Sequence, residues 1–213
     1  MDKINIFRKG STTYFFSSIF FPKDVRNDVF TLYAFVRTAD DFVDIVPQNK
    51  QGFLDFKQIT EKALNKELVN DRIIEDFVKL ADKHSFIKDW IRAFLDVMES
   101  DMNIKSYASF SDLEKYIYGS AEVIGLMMAK IMGVPEDGFD AAKTLGKSMQ
   151  LINFIRDIDE DLTLGRVYIP QEDIRKFGVE ELNKKKSNEM SFADLMRYEI
   201  SRYFKLVESA EKG

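Results

Sequence analysis

Val25, Val29, Leu32, Val36, Ala39 and Val43 follow one another at steps of four, three, four, three and four residues. On an α-helix that spacing lines all six along one face, whereas a strand would scatter them over both. Pro22 stands before the run and Pro47 after it, as helix punctuation. A chain built on such a segment has to bury the stripe against other helices. The same period recurs between the remaining breakers. It predicts helices over Gly52–Val69, Asp71–Lys83, Phe86–Met102, Asp112–Met132, Phe139–Leu164, Gln171–Phe177 and Phe192–Ala210. Ser111 with Glu114 has the pattern of a capping box, and Ser191 with Asp194 is a weaker version. Nothing alternates with period two for long enough to form a strand. Phe15–Phe21, with Pro22 behind it, reads as a helix or a turn between helices. The polar stretch Asn183–Asn188 reads as the most flexible connection. The fold class is all-α, a helical bundle.

Composition narrows the chemistry. The 213 residues suit one domain or two small ones, and 45% hydrophobic content supplies a core. Cysteine is absent, which removes disulfides, thiolate metal sites and thiol nucleophiles. His84 is the only histidine, so a Ser-His-Asp triad or a histidine-built zinc site has little to work with. The net charge is −5 and the basic residues are scattered, which does not make a nucleic-acid footprint. The polar start at Asp2, Lys3 and Asn5 does not match a signal peptide. The longest apolar run, Ile117–Gly133, is broken by Glu122 and Lys130, so no membrane span is expected. The expected location is cytoplasmic. His84 reads as a surface residue. Trp90, Met127, Met128, Met132 and most phenylalanines read as core.

A second, polar stripe runs beside the apolar one. Tyr33, Arg37, Asp40 and Asp44 step by four, three and four. Asp40 and Asp44 thus share a face with Cβ atoms about 6 Å apart; Asp41 points partly elsewhere, and Arg37 can pair with Asp40. Gln150, Asn153, Asp157 and Asp161 form a like series at three, four and four, beside Leu151, Ile155, Ile158 and Leu162. Asp159 and Glu160 fall on other sides. An acidic pair on one helix is often only a solvated face. Two pairs, each in phase with other polar residues and each bordering an apolar stripe, call for a cation. Asp157, Asp159 and Asp161 imitate a calcium loop, but Leu162 and Tyr168 occupy the positions that need glycine and glutamate. Magnesium fits better, since it takes one or two carboxylates and completes its shell with substrate phosphates. Two facing helices could hold two or three such ions, with diphosphate groups between them. An aromatic cavity around them would suit a carbocation.

The stretches YAFVRTADDFVD (Tyr33–Asp44), YIYGSAEVIG (Tyr116–Gly125), QLINFIRDIDED (Gln150–Asp161) and GRVYIPQEDI (Gly165–Ile174) resemble the squalene/phytoene synthase family, in the family's order. STTYFFSSIFFP (Ser11–Pro22) is similar to its N-terminal segment. The resemblance covers nearly the whole chain. It implies a single class I isoprenoid synthase domain over residues 1–213, with a central cavity and without the family's last helices. It also implies magnesium ligation by Asp40, Asp41, Asp44, Asn153, Asp157 and Asp161. Ser11, Thr13, Tyr14, Arg37, Arg156, Arg166 and Tyr168 would bind substrate. Tyr33, Arg37, Tyr118, Gln150 and Asn153 would act in catalysis. The chain departs from the family pattern at Thr12, where a basic residue is expected, at Thr13 for serine, and at Glu122 for glycine.

The implied reaction joins two prenyl diphosphates head to head through a cyclopropylcarbinyl diphosphate. Geranylgeranyl diphosphate would give phytoene; farnesyl diphosphate would give squalene or dehydrosqualene, with NADPH needed for squalene. Oily products make peripheral membrane contact an alternative to a free cytoplasmic protein. Two other functions compete. One is a different class I isoprenoid enzyme, against which the second motif and GRVYIP speak. The other is a non-catalytic assembly factor on the same fold, against which the four retained aspartates speak.

Overall fold

A computed structural model describes residues 20–183 and 189–213. The helices among them are α1 (Lys23–Asp44), α2 (Lys50–Leu64), α3 (Arg72–Lys83), α4 (Lys88–Ser100), α5 (Phe110–Ile117), α6 (Val123–Met132), α7 (Phe139–Arg156), α8 (Ile158–Thr163), α9 (Gln171–Lys176) and α10 (Met190–Ala210). A π-helical turn, Tyr118–Glu122, joins α5 to α6, and a 3₁₀ turn, Glu136–Gly138, leads into α7. No strand occurs among the described residues. A lone parallel bridge links Ser106 and Val167. No described helix is long and apolar enough to cross a membrane. The predicted segment Phe15–Phe21 and the connection Asn183–Asn188 lie largely outside the described residues.

The chain divides into two compact units. The first runs through Met102 and takes in Met127–Val134; the second comprises Asn103–Leu126 and Pro135–Gly213. In the first, α1 packs against α2, α3 and α4. Val29, Leu32, Ala39 and Val43 of the predicted stripe are buried, while Val25 and Val36 are only half-buried. Phe30, Ala34 and Phe35 are buried as well, because three helices rather than one cover α1. Phe35 stacks on Phe77 with ring centroids 3.7 Å apart and lies tilted against Phe56 and Phe94. Trp90 joins this core, as does Met127.

Several local expectations need correction. Helix α2 stops at Leu64, short of Val69, because Lys66 takes a positive φ of 68° that ends the helix. His84 is not a surface residue. It caps α3, and its Nε2 lies 2.7 Å from Asp28 Oδ2, which Lys83 also reaches. These two partners hold the Asp28 carboxyl below its usual value against the opposing effect of burial. Met132 is half exposed rather than core.

In the second unit α7 packs against α10 and the π turn. The box that opens α5 is Ser109 with Asp112, not Ser111 with Glu114: Ser109 Oγ accepts from the Asp112 N–H. Helix α10 starts at Met190 without a side-chain cap, so Ser191 lies inside it. Ile158, Ile169, Val179, Phe192 and Leu195 form an apolar cluster at its first turns. Beyond that cluster, α10 is tied to α9 by charge. Arg202 donates to Glu199 Oε2 at 2.6 Å and to Asp173 Oδ2 at 3.0 Å, with its guanidinium 3.9 Å from the Phe110 ring centre. Glu199 and Asp173 are both buried. Burial, helped by Asp173 and opposed by Arg202, pushes the Glu199 carboxyl up.

Phe35→Ala should lower the stability of the first unit by about 3–5 kcal/mol in chemical denaturation followed by circular dichroism. Phe204→Ser, at an exposed site on α10, should change stability by less than about 0.5 kcal/mol. Folded Glu199 keeps a proton that the unfolded chain releases above its ordinary value of 4.5. Its contribution is therefore full below that value and is lost as pH rises through the elevated folded value. Glu199→Gln should flatten the fall in denaturation midpoint between pH 5 and pH 8; an unchanged slope would contradict the assignment.

Candidate active site

Helix α1 carries the first set of site residues. Tyr33, Arg37, Asp40, Asp41 and Asp44 are all partly buried along its second half. Arg37 pairs with Asp41, Nη2 to Oδ1 at 2.7 Å, rather than making the i,i+3 pair with Asp40. An i,i+4 step suits the long guanidinium reach. Asp40 is the perturbed member. Burial first, then the charges of Asp44, Asp101 and Asp41, push its carboxyl up to about 7, with Arg37 opposing. Burial also raises the Tyr33 hydroxyl, and Arg37 counters it.

Asp101 was not among the residues singled out from sequence. It is buried at the C-terminal end of α4 and its charge bears on Asp40. The signal was available: a carboxylate at a helix C-terminus opposes the macrodipole and needs another reason to be there.

The second set divides between α7 and the segment after it. Gln150 and Asn153 are half-buried on α7. The predicted continuous helix through Leu164 is interrupted at Asp157, whose φ of −101° and ψ of 15° separate α7 from α8. Aspartate is a poor helix-interior residue because its short carboxylate competes for local partners. Here Arg156 grips it through two hydrogen bonds of 2.7 and 2.6 Å. The backbone nonetheless bridges the break. The Asp157 N–H donates to the Asn153 carbonyl, and the Asp161 N–H to that of Asp157, both at 2.8 Å. The spacing of Asn153, Asp157 and Asp161 thus survives as hydrogen-bonded steps.

After α8, Gly165 at φ +69° turns the chain. The Arg166 N–H then donates to the Asp161 carbonyl at 2.8 Å, and the Arg166 side chain is buried. Val167, Gln171 and Glu172 donate to the carbonyls of Lys105, Tyr107 and Ala108. This strand-like pairing sets Tyr168 among aromatic rings. Phe154 stacks on it at 4.3 Å, Tyr116 lies at 5.3 Å and Tyr107 at 6.0 Å. The hydroxyls of Tyr116 and Tyr168 are 3.4 Å apart. Tyr107, Tyr116 and Phe154 are not among the site residues expected from the sequence. What groups them is the pairing of two loops, which no local spacing encodes. Tyr118 opens the π turn and is 39% exposed. Ser11, Thr13 and Tyr14 lie outside the described residues.

Among the described residues no three acidic side chains converge into a ready-made cation cage. The donors nevertheless suit a hard cation. They are carboxylate and amide oxygens, and among the described residues the carboxylates that bear on Asp40 outnumber the one arginine, Arg37, set against them. A dication bound by one or two carboxylates would relieve that excess without a full protein cage. In the first unit Asp40 and Asp44 on α1 could hold such an ion; in the second, Asp157 and Asp161 flanking α8 offer the same kind of oxygen donors.

The family model described as squalene/phytoene synthase matches residues 7–213. The chain is 27% identical over 218 residues to a 15-cis-phytoene synthase of Synechococcus elongatus, covering 94% of this chain and 70% of that protein. It is 30% identical over 162 residues to a presqualene diphosphate synthase of Rhodopseudomonas palustris, covering 74% and 58%. It is 25% identical over 179 residues to a 4,4'-diapophytoene synthase of Staphylococcus haemolyticus, covering 82% and 63%. The chain therefore spans 58–70% of the lengths of these three relatives. Among solved structures, a dehydrosqualene synthase in complex with ligand superposes with a TM-score of 0.88 at 26% identity, covering 99% of this chain and 75% of that one. A squalene synthase (HpnC) from Alicyclobacillus acidocaldarius superposes with a TM-score of 0.86 at 20% identity, covering 99% and 81%, which speaks to the fold. Helical architecture, motif order and matched length converge on one conclusion: the chain belongs to the squalene/phytoene synthase family.

Proposed function

We propose that this chain carries the head-to-head condensation of two prenyl diphosphates, and that both carboxylate sets take part in it. The observation that carries the reading is the charge balance at Asp40. A partly buried carboxyl crowded by Asp44, Asp101 and Asp41 is destabilised in isolation and makes sense as part of a binding site for positive charge. Family membership supplies the chemical class.

In the proposed reaction one allylic diphosphate breaks its C–O bond and the diphosphate departs with the electron pair. The double bond of the second substrate attacks the resulting cation. Loss of a proton closes the ring of a cyclopropylcarbinyl diphosphate. A second ionisation and rearrangement give the hydrocarbon, with proton loss for phytoene or dehydrosqualene and hydride from NADPH for squalene. Magnesium, held by Asp40, Asp44, Asp157 and Asp161, would supply Lewis-acid stabilisation of the leaving diphosphate.

The chain's own residues have distinct tasks. The Arg37–Asp41 pair fixes the guanidinium on α1, where it can hold a diphosphate oxygen. The grip of Arg156 on Asp157 orients that carboxylate. Tyr33, whose ordinary value of 10.0 burial raises further, is protonated at neutral pH and so serves as a donor. The rings of Tyr107, Tyr116, Phe154 and Tyr168 provide a dry aromatic wall, whose π faces favour a carbocation and keep water from quenching it. Tyr118, Gln150 and Asn153 would supply polar contacts to the substrate.

The test is incubation with farnesyl or geranylgeranyl diphosphate and magnesium, with and without NADPH, followed by hydrocarbon analysis. Phytoene, dehydrosqualene or squalene is the expected product; none from either substrate would refute the proposal. Asp40→Asn and Asp157→Asn should each lower turnover at least about a hundredfold with helix content unchanged. Asp159→Asn, exposed on α8, should stay close to the unsubstituted chain. Near-normal turnover in either of the first two would remove that residue from the proposed site.

A further inference from the structure

At Gly146 and Gly125 the helix α7 and the segment of the π turn and α6 approach backbone to backbone. A Cβ placed on Gly146 of α7 would stand 2.6 Å from the Ala121 carbonyl oxygen and 3.4 Å from the Glu122 Cα. About one turn of helix away, a Cβ on Gly125 of α6 would stand 2.4 Å from the Ala142 carbonyl oxygen. Both obstacles are main-chain atoms, so no side-chain rotation could relieve them. Glycine is costly in a helix interior, and here it is what allows the approach. Charge pins the same joint from its flank. Lys147, next to Gly146, pairs with Glu114 of α5 and lies over the Phe110 ring, while Lys147 and Lys143 both bear on Glu122 of the turn.

The joint lies in phase with the candidate site. Gly146, Gln150 and Asn153 step by four and three along α7 and so share one face. Ala121, which rests against that face, is three residues along the turn that Tyr118 opens. The turn closes by an N–H of Val123 donating to the Tyr118 carbonyl, five residues back. This wider loop is the geometry by which π turns redirect side chains at functional sites.

We propose that Gly146 is a positioning residue: by letting the Ala121 carbonyl reach the α7 backbone, it sets the distance from Tyr118 to Gln150 and Asn153. The proposal deepens the reading of those three as polar residues of a head-to-head synthase and rests on it. Gly146→Ala displaces the turn outward and withdraws Tyr118, so bound substrate meets a misplaced hydroxyl. An error of that size in placement costs turnover rather than substrate binding.

The test pairs a spectroscopic readout with kinetics. The chain, which has eight tyrosines, is labelled with 3-fluorotyrosine and the Tyr118 resonance is assigned by its loss in Tyr118→Phe. Gly146→Ala should move that ¹⁹F resonance, whereas Leu145→Ala, at an exposed neighbour on α7, should leave it in place. In parallel, Gly146→Ala should lower kcat about ten- to a hundredfold with KM within about twofold of the unsubstituted chain. If Gly146→Ala does not fold, the pair Gly146→Ala/Glu122→Gly, which frees the turn to shift, is read by the same criteria. An unmoved Tyr118 resonance in a folded variant overturns the proposal whatever the kinetics. A moved resonance with unchanged kcat overturns it too. An unsubstituted chain inactive on both substrates refutes the reaction instead, and the resonance alone then decides the positioning claim.

Discussion

Like-charge repulsion at Asp40 is the constraint around which the first unit is organised. Asp40 must be partly buried, because α1 is covered by three helices. It must also tolerate Asp44 one turn on, Asp41 beside it and Asp101 from the end of α4. Arg37 is largely engaged by Asp41 and so offsets only part of this. The ordinary remedies would be replacement by an amide or a second basic residue, and among the described residues Arg37 is the one opposing charge that bears on Asp40. The aromatic packing of Phe35 on Phe77 keeps α1 fixed while the carboxylates repel one another. The core supplies the stability that the site expends.

The second unit handles its carboxylates differently. Asp157 sits at a break between two helices, gripped by its neighbour Arg156, and Asp161 lies one hydrogen-bonded step farther. The glycine turn at Gly165 brings the chain back so that the Arg166 N–H closes on Asp161. That same return brings Tyr168 to Phe154 and Tyr116. Charge placement and the aromatic cluster around Tyr168 are therefore two results of one loop geometry.

Much of this was legible in the sequence, for reasons that differ by element. The helix over Lys23–Asp44 could be read because two prolines bracket a clean 3.6-residue period. The carboxylate stripes could be read because helix spacing fixes which residues share a face. Three kinds of feature stayed hidden. The π turn at Tyr118–Glu122 and the break at Asp157 insert irregularity into segments whose apolar period runs on unbroken. The partnership of His84 with Asp28 and the pressure of Asp101 on Asp40 join residues more than 50 positions apart, so no local window contains them. The close contact at Gly146 depends on a neighbouring backbone rather than on any pattern of side chains. Capping failed by a single step: Ser109 and Ser111 stand two residues apart and each has an acid three residues on, so only the observed start of α5 chooses between them.

On the proposed function, excess carboxylate on these helices would become binding energy once cation and diphosphate arrive together. Calorimetric titration with a non-ionising thiolodiphosphate analogue of farnesyl diphosphate, with magnesium and then with a chelator, tests it most directly. Tight binding is expected with magnesium and none measurable after chelation. Equal affinity in the two conditions would contradict it.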